Sequence, residues 1–381
     1  MRLLLSAGEV SGDQHGAALL ESLKERVPGL EVIGLGGDRC AAQGMRLLGH
    51  QKELAIIGVV EAFSKIRLAR RLIRALANAA TGERVDAAVL IDSPDFHLPL
   101  ARRLARAGVP VVFYVSPQVW AWRSGRAKTL SRLGRGILTL FRFEKRWYDA
   151  RGLGSHVTWV GHPLVDEAAR ELAVPVARPQ EGRRRLVLMP GSRPGEIRKL
   201  LPLLRDATAI LSSRRSDIDV VLVKAESVPE ELVAEIAGDA LSRWTIVSGP
   251  HLALLAASDV LVVASGTATV EGLLAEIPMV VVYRVATLSY LLGKLLVKVP
   301  NVAMANILSD PGDGSQTVPE LIQGAATPER VAEEVERFLD DPARAAEARR
   351  RLALGREELG APGAPDRTAD AILDLLRGGA R

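Results

Sequence analysis

The sequence predicts an α/β protein made of two Rossmann-like, doubly wound domains facing across a cleft. Three observations carry this. Short continuous apolar runs recur along the chain, as parallel strands covered on both faces require. Helix-length segments separate them, which favours βαβ crossovers over hairpins. A stretch without periodicity, rich in Pro, Gly and charge, runs from Val174 to Arg185 and splits the runs into two similar series.

The first series of expected strands is Arg2–Leu5, Glu31–Leu35, Ala87–Ile91, Val109–Val115, Gly136–Phe141 and His156–Val160. The second is Arg185–Met189, Val220–Val223, Thr245–Val247, Val260–Ala264 and Met279–Tyr283. The expected domains are therefore 1–173 and 185–355. Residues 356–381 follow, with an amphipathic helix over Asp366–Leu376. Open α/β sheets bind ligands at the carboxyl ends of their strands, so the residues that leave those ends are the candidates for chemistry.

Composition narrows the class. With 381 residues, 48% hydrophobic and only 4% aromatic, the chain can bury two cores, and both must be aliphatic. Its one cysteine, Cys40, excludes an internal disulfide and fits a reducing compartment. Leu3-Leu4-Leu5 is too short for the apolar core of a signal peptide. No apolar stretch reaches the ~20 residues of a membrane-spanning helix. The expected location is the cytosol or a membrane surface. The net charge of +5 favours anionic partners: nucleic acid, acidic lipid or a phosphorylated substrate.

The most informative stretch is Leu186-Val-Leu-Met-Pro-Gly-Ser-Arg193, followed by Pro194-Gly-Glu196. A strand ends in a tight turn and a helix begins at Pro194, where a missing N–H costs nothing. Such a turn aims free backbone N–H groups of Gly191, Ser192 and Arg193 at one spot, and the Arg193 fork suits a phosphate. Its plain alternative is an ordinary βα turn with a surface Arg. A second turn of this kind is Ser265-Gly266-Thr267, after the strand Val260–Ala264. Glu271 lies four residues past Thr267 on the same helix face, placed to accept bonds from sugar hydroxyls or simply to complement the helix dipole.

In the first half, Ser6-Ala-Gly-Glu-Val-Ser-Gly-Asp-Gln-His-Gly16 follows the first strand. Its glycine spacing does not match a dinucleotide loop, and acids there would repel a pyrophosphate. Glu9, Ser11 and Asp13 suit hydroxyl groups better; alternatively Ser11 or Asp13 caps the helix. The third strand ends Leu90-Ile-Asp92-Ser-Pro-Asp95-Phe-His97. Pro94 stiffens the turn, and a stiff turn can hold Asp92 as a general base. The plain alternative has Asp95 as a helix cap and Asp92 satisfied by backbone N–H groups. Next, Trp120-Ala-Trp122-Arg123 follows a strand; aromatic faces stack on sugars and Arg123 pairs with anions, whereas Trp120 also reads as core.

Val59–Ala80 reads as an amphipathic helix. Val59, Phe63, Ile66, Ile73 and Leu76 form an apolar stripe with Leu68 and Leu72 beside it, while Lys65, Arg67, Arg70, Arg71 and Arg74 crowd another face. Basic amphipathic helices lie on anionic membranes, although most such helices bury one face in a core. A second apolar segment, Tyr290–Val299, carries Lys294 and Lys298. Asp217-Ile-Asp219 precedes a strand rather than leaving one, and the six His show no paired ligand spacing. No metal and no cofactor is expected.

In combination the motifs resemble the lipid A disaccharide synthase family, inverting glycosyltransferases of the two-domain GT-B type. The resemblance runs nearly end to end. It covers Gly8–Asp13, Gly58–Glu61, Ile91–Phe96, Val115–Trp122, Phe143-Glu144, Val160–Pro163, Pro190–Arg193, Ser265–Ala268, Pro278–Arg284 and Val318–Gln323. It implies transfer of 2,3-diacylglucosamine from UDP-2,3-diacylglucosamine to 2,3-diacylglucosamine 1-phosphate. The products are the β-1,6-linked disaccharide 1-phosphate and UDP. It further implies a peripheral protein on the cytoplasmic face of the inner membrane that needs no metal. By resemblance Asp92 and Arg193 are catalytic, and Asn306 and Gln323 lie near the nucleotide. His97 stands where the family usually has Asn, Arg142 where Pro is common, and Met304-Ala-Asn306 where Leu-Pro-Asn is usual.

The expected site therefore has Asp92 as base and Arg193 with the Gly191–Arg193 amides on the departing UDP. Ser265, Gly266, Thr267, Glu271, Asn306 and Gln323 complete the donor side. Glu9, Ser11, Asp13, Asp95, Trp122 and Arg123 serve the acceptor, and Phe63, Ile66, Arg67, Arg70, Arg71 and Arg74 meet an anionic membrane. Two alternatives stand beside this reading: another UDP-sugar enzyme such as a UDP-N-acetylglucosamine 2-epimerase, and a non-enzymatic nucleic-acid-binding protein. The basic residues are spread over many helices and no nucleic-acid module is visible, so no nucleic-acid partner is expected. A homodimer is left open.

Overall fold

The computed structural model describes residues 1–55, 62–284, 299–310 and 312–378, with the side chains of 55 and 62–65 outside the description. The motif Gly58–Glu61, the side chain of Phe63 and the segment 285–298 with Lys294 and Lys298 thus lie outside the described residues.

The chain forms two parallel sheets. The first has seven strands in the order β3-β2-β1-β4-β5-β6-β7. These are β1 (Arg2–Ala7), β2 (Glu31–Gly36), β3 (Arg46–His50), β4 (Ala87–Ile91), β5 (Val111–Tyr114), β6 (Gly136–Thr139) and β7 (Val157–Trp159). The second has six, in the order β10-β9-β8-β11-β12-β13. They are β8 (Arg184–Met189), β9 (Ile218–Val223), β10 (Trp244–Val247), β11 (Val260–Ala264), β12 (Met279–Tyr283) and β13 (Glu320–Ile322). Strand order reverses direction between β1 and β4 and again between β8 and β11, which is where such sheets bind ligands.

Burial on both faces explains the unbroken apolar runs. Leu3 and Leu5 pack with Leu19, Leu20 and Leu23 of the helix Val10–Arg26, and with Ile372 and Leu373 of Ala364–Arg377. Between them in sequence, Leu4 points the other way, to Leu72, Ile73 and Leu76 of Ala62–Gly82 and to Leu100 and Leu104 of Pro94–Arg106. Each such side chain contributes roughly 1.5–3 kcal/mol. In the second sheet, Leu186, Leu188, Val260 and Val262 pack with Leu200, Leu204 and Leu211 of Pro194–Arg214 and with Val331 and Val335 of Pro328–Asp340.

Two strands, β3 and β13, were not expected. Both lie at sheet edges and are partly exposed, so neither has an apolar run to announce it. β5 begins only at Val111, because Pro110 has no N–H to donate and serves through its carbonyl, which accepts from Ala88.

The chain divides into two compact units: 1–163 with 359–381, and 164–358. The first boundary falls earlier than the linker. The helix Leu164–Glu171 belongs to the second unit, where Glu171 Oε2 accepts the N–H groups of His251 and Leu252 at 2.9 and 2.8 Å. The last helix, Ala364–Arg377, belongs to the first unit. Its Asp366 and Asp370 pair with Arg26 at 2.9 and 2.6 Å.

Candidate active site

In the first unit, Asp92 leaves the end of β4 in a left-handed backbone conformation, φ 50°, and Ser93 follows at φ 45°. Two successive non-glycine residues in this region cost roughly 1–3 kcal/mol each and persist only where their surroundings hold them. Here they are held on both sides. The Asp92 N–H donates to the Tyr114 carbonyl on β5 at 3.1 Å. The Asp92 carbonyl accepts from His97 Nδ1 at 2.6 Å. A carbonyl can only accept, so Nδ1 carries the proton and Nε2 accepts from Ser6 Oγ at 2.8 Å. Burial pushes the His97 imidazole down to about 4 against the bond to Asp92, so this neutral form persists at neutral pH. Gly8 permits the turn: a Cβ there would meet Ser93 Oγ at 2.7 Å.

Burial, and then the negative charge of Glu9, push the Asp92 carboxyl up to about 6, against a hydrogen bond from the Ser93 backbone. A carboxylate in that range is a usable proton acceptor at neutral pH. Glu9 is exposed and Ser11 half-buried. Glu144 lies deeper, its carboxyl pushed up to about 8 by burial. It accepts from Trp120 Nε1 and from the Phe141 N–H, both at 3.2 Å, so Trp120 is a brace inside the unit.

Asp13 is corrected. It is 2% exposed, and its carboxylate accepts from the backbone N–H groups of Gly37, Arg39 and Cys40 at 2.6, 3.1 and 3.2 Å. It secures the start of the short helix Asp38–Ala42, so three of the acceptor positions of this buried carboxylate serve the backbone rather than a sugar. Nor does Ser11 or Asp13 cap its own helix, whose N-cap position is Glu9, with no side-chain capping bond; Ser93, not Asp95, is the N-cap of Pro94–Arg106.

Asp95, Trp122 and Arg123 come together and gain a fourth member. Asp95 Oδ1 pairs with Arg126 at 2.6 Å and with Arg123 at 3.5 Å. Both guanidiniums lie over the Trp122 ring, that of Arg123 4.7 Å and that of Arg126 5.6 Å from its centroid. The ring face is thus shared with cations, and the cluster presents positive charge rather than a bare aromatic platform.

On the helix Ala62–Gly82, Leu72, Ile73 and Leu76 are core while Ile66 is 47% exposed. The inner part of the expected apolar stripe therefore serves the fold. Arg67, Arg70, Arg71 and Arg74 line one depression on its outer side. No helix of the described residues is long and apolar enough to cross a membrane.

In the second unit, the loop after β8 turns at Gly191, φ 114°, where a Cβ would collide with Glu196 Oε2. Arg193 is the N-cap of Pro194–Arg214, with its side chain 67% exposed. The loop amides are not all free, contrary to the expectation from the motif. Ser192 and Arg193 donate their N–H groups to Glu196 Oε2 at 3.0 and 3.3 Å, and Arg193 Nη1 lies 3.5 Å from Glu196 Oε1. Burial and then Glu196 hold the Tyr283 hydroxyl above its ordinary value, against Arg193, which places that ring beside the same loop.

Ser265 sits at the end of β11, followed by Gly266, φ 155°, and by Thr267; the latter two are exposed ahead of Ala268–Leu274. Glu271, 20% exposed, has Oε2 3.4 Å from His251 Nε2. His251 Nδ1 lies 2.8 Å from the Gly249 carbonyl. With an acceptor at each ring nitrogen, His251 must be an imidazolium. Burial alone would lower it, but the Glu271 bond and charge, the Gly249 carbonyl and Glu171 raise it to about 9.

Asn306 is corrected too. It is fully buried, Nδ2 donating to Val318 O and Glu320 Oε1 at 2.9 and 2.8 Å, and Oδ1 accepting from Thr317 and Val318 N–H at 2.9 Å each. All four of its hydrogen-bonding positions brace the approach to β13, leaving none for a nucleotide. Gln323, half-buried with φ 53°, begins the turn after β13. Asp217 and Asp219 are tied to Arg215 at 2.9 Å and to Arg183.

Sequence reasoning missed Glu196 and His251. A lone His after Ser-Gly-Pro has no spacing signal, and a Glu three residues past an N-cap reads as ordinary capping.

A model of the lipid-A-disaccharide synthetase family matches residues 3–367. The lipid-A-disaccharide synthase of Myxococcus xanthus (strain DK1622) is 40% identical over 380 residues, covering 98% of this chain and 97% of its own. That of Geobacter sulfurreducens is 38% identical over 379 residues, with the same shares. Among solved structures, a putative UDP-N-acetylglucosamine 2-epimerase from Listeria monocytogenes superposes with TM-score 0.64 at 12% identity, over 100% of this chain and 98% of its own. CalG4, the calicheamicin glycosyltransferase, does so with TM-score 0.60 at 14% identity, over 100% and 99%. These two likenesses establish a GT-B-like fold. The family match spans nearly the whole chain, and the chain belongs to the lipid-A-disaccharide synthase family.

Proposed function

We propose that this glycosyltransferase of lipid A biosynthesis joins UDP-2,3-diacylglucosamine to 2,3-diacylglucosamine 1-phosphate, at the cytoplasmic face of the inner membrane. The acceptor 6-hydroxyl attacks the donor anomeric carbon in line, with inversion. Its proton passes to Asp92, the C1–O bond to UDP breaks, and the β-1,6 disaccharide 1-phosphate and UDP result. The observation that carries this reading is Asp92: a carboxyl raised to about 6 at the end of a central strand, on a strained, doubly held turn. General-base assistance of this kind typically contributes ~10²–10⁴-fold.

The Arg193 guanidinium, exposed at the start of a 21-residue helix, takes up charge on the departing diphosphate. Gly191, Ser192, Ser265, Gly266 and Thr267 approach the same group through backbone and hydroxyl, and Gln323 borders the nucleotide. Glu271, oriented by His251, accepts from the ribose hydroxyls. Glu9 and Ser11 take sugar hydroxyls, and the Asp95–Trp122–Arg123 cluster meets the acceptor phosphate through its guanidiniums. Arg67, Arg70, Arg71 and Arg74, with Ile66, rest on anionic lipid. Like charges so close together favour a surface that supplies counter-charge.

The test is incubation of the full chain with both lipid substrates in mixed micelles, with UDP release and product mass followed together. A disaccharide 1-phosphate formed one-for-one with UDP is the expected result. UDP release without the lipid acceptor, or epimerisation of UDP-N-acetylglucosamine in its place, overturns the reading.

A further inference from the structure

We propose that His97 is a positioning residue for Asp92: it holds the strand-end peptide in the one conformation that aims the carboxylate for its work. This rests on the reading of Asp92 as the base.

The geometry is a relay from the centre of the sheet to the strained turn. Ser6 is fully buried on β1 and stands in register with Leu90 on β4. Its hydroxyl donates to His97 Nε2 at 2.8 Å, and His97 Nδ1 donates to the Asp92 carbonyl at 2.6 Å. His97 is 1% exposed, and the Phe96 ring meets it edge-on at 5.3 Å between centroids. Its backbone N–H is tied to the Ser93 carbonyl at 2.9 Å, so ring and turn move as one body. The Asp92 carbonyl lies in the peptide plane between the two left-handed residues. Fixing that plane fixes the Asp92 backbone, and with it the Cα–Cβ direction from which the carboxylate projects. Without the bond, the turn is free to relax toward the right-handed region that L-residues prefer, and the carboxylate moves with it.

The chemistry separates positioning from space-filling. An asparagine places its Nδ2 donor the same number of bonds from Cα as His Nδ1. A glutamine places its amide nitrogen at the distance of Nε2. His97→Asn therefore keeps the donor to the Asp92 carbonyl and gives up Ser6; His97→Gln does the reverse.

The experiment measures kcat and KM for both lipid substrates, UDP affinity by calorimetry, and melting temperature for the wild type, H97N, H97Q and S6A. H97N is expected to keep kcat within about 5-fold. H97Q is expected to lose about 10²-fold in kcat, the loss that a misplacement of roughly 1 Å gives, with UDP affinity unchanged. S6A, which leaves the ring in place but unanchored, falls between them. A purely space-filling His97 gives H97N and H97Q equal losses that follow their melting temperatures, and that result overturns the proposal. So does wild-type kcat in both H97Q and S6A. D92N is run beside them. An active D92N removes the base reading on its own, whatever the His97 series does.

Discussion

Glu196 Oε2 lies 3.0 Å from the backbone nitrogen of Ser192 and 3.3 Å from that of Arg193. The carboxylate thus occupies amides that, in a strand–turn–helix anion site, face the phosphate. It serves as the capping group of Pro194–Arg214 and also draws on the Arg193 guanidinium. A diphosphate arriving here meets a negative charge that must yield or be screened. Glu196→Gln keeps an oxygen acceptor for the cap and removes the charge. It is expected to tighten UDP binding about 5-fold at low salt, the scale of one partly exposed ion pair. The gain should shrink at 0.3 M salt. Titration calorimetry at two ionic strengths checks this, and weaker binding by the variant would show Glu196 to be support for the loop rather than a competitor.

Asp92 links turnover to stability. Its carboxyl titrates at about 6 when folded and near 3.9 when unfolded, because burial and Glu9 disfavour the charge. The folded state therefore holds its proton more tightly, and stability falls as pH rises from about 4 to about 6, then stays reduced. Asp92→Asn removes that penalty. At pH 7.5 it should be more stable than the wild type by about 2 kcal/mol, allowing for partial exposure, while turnover disappears. In the wild type, kcat should rise with pH up to about 6 and then level. Glu9→Gln should move that limb to lower pH. A flat profile between pH 5 and 7, with chemistry rate-limiting, would remove Asp92 as the titrating base.

How much of this was legible follows from where the information lies. The central strands announce themselves because both faces are buried: Leu3, Leu4 and Leu5 point alternately to two cores, so no polar residue interrupts them. Edge strands β3 and β13 carry no such mark. Asp92 was visible as an acid leaving a buried strand beside Pro94. What holds it was not, since Ser6 and His97 are 91 residues apart and only the β1–β4 register brings them together. Asp13 and Asn306 misled for the opposite reason. Their motifs signal a loop that needs a polar side chain, and sequence does not say whether that need is a ligand's or the backbone's.

Asp13 gives a direct check on that distinction. Its carboxylate satisfies three backbone N–H groups at the start of Asp38–Ala42. Asp13→Ala leaves them without an acceptor in a buried place and should cost about 2 kcal/mol of stability. The acceptor KM of the folded fraction should not change. Thermal melts paired with initial rates at low temperature measure both. A raised KM with an unchanged melting temperature would restore Asp13 to the acceptor site.

His251 sets a second pH dependence, of the same sense but at higher pH. Its folded pKa, about 9, lies above the ordinary 6.5, because Glu271, the Gly249 carbonyl and Glu171 outweigh burial. Stability from this contact is fully present below pH 6.5 and is lost as pH rises through about 9. The amount is at most about 3 kcal/mol. Melting temperature of the wild type should fall between pH 7 and 9.5, and His251→Gln should flatten that fall. If Glu271 holds the ribose, the same variant should also weaken UDP binding a few-fold at pH 7.

The arginine face of Ala62–Gly82 makes the last prediction. Arg67, Arg70, Arg71 and Arg74 share one depression, while Leu72, Ile73 and Leu76 anchor the helix to the core. A juxtaposed basic residue is worth about 1 kcal/mol on an anionic surface. Changing Arg67, Arg70 and Arg71 together to Glu both removes that attraction and adds repulsion, on a face the core does not use. Binding to vesicles with 30% anionic lipid should then fall by more than about 10²-fold in sedimentation assays, since three such contributions exceed 4 kcal/mol once reversed. The melting temperature should stay within a few degrees. Turnover on short-chain substrates that need no membrane should survive, which separates docking from chemistry. Unchanged vesicle binding would move the membrane contact to another face of the protein.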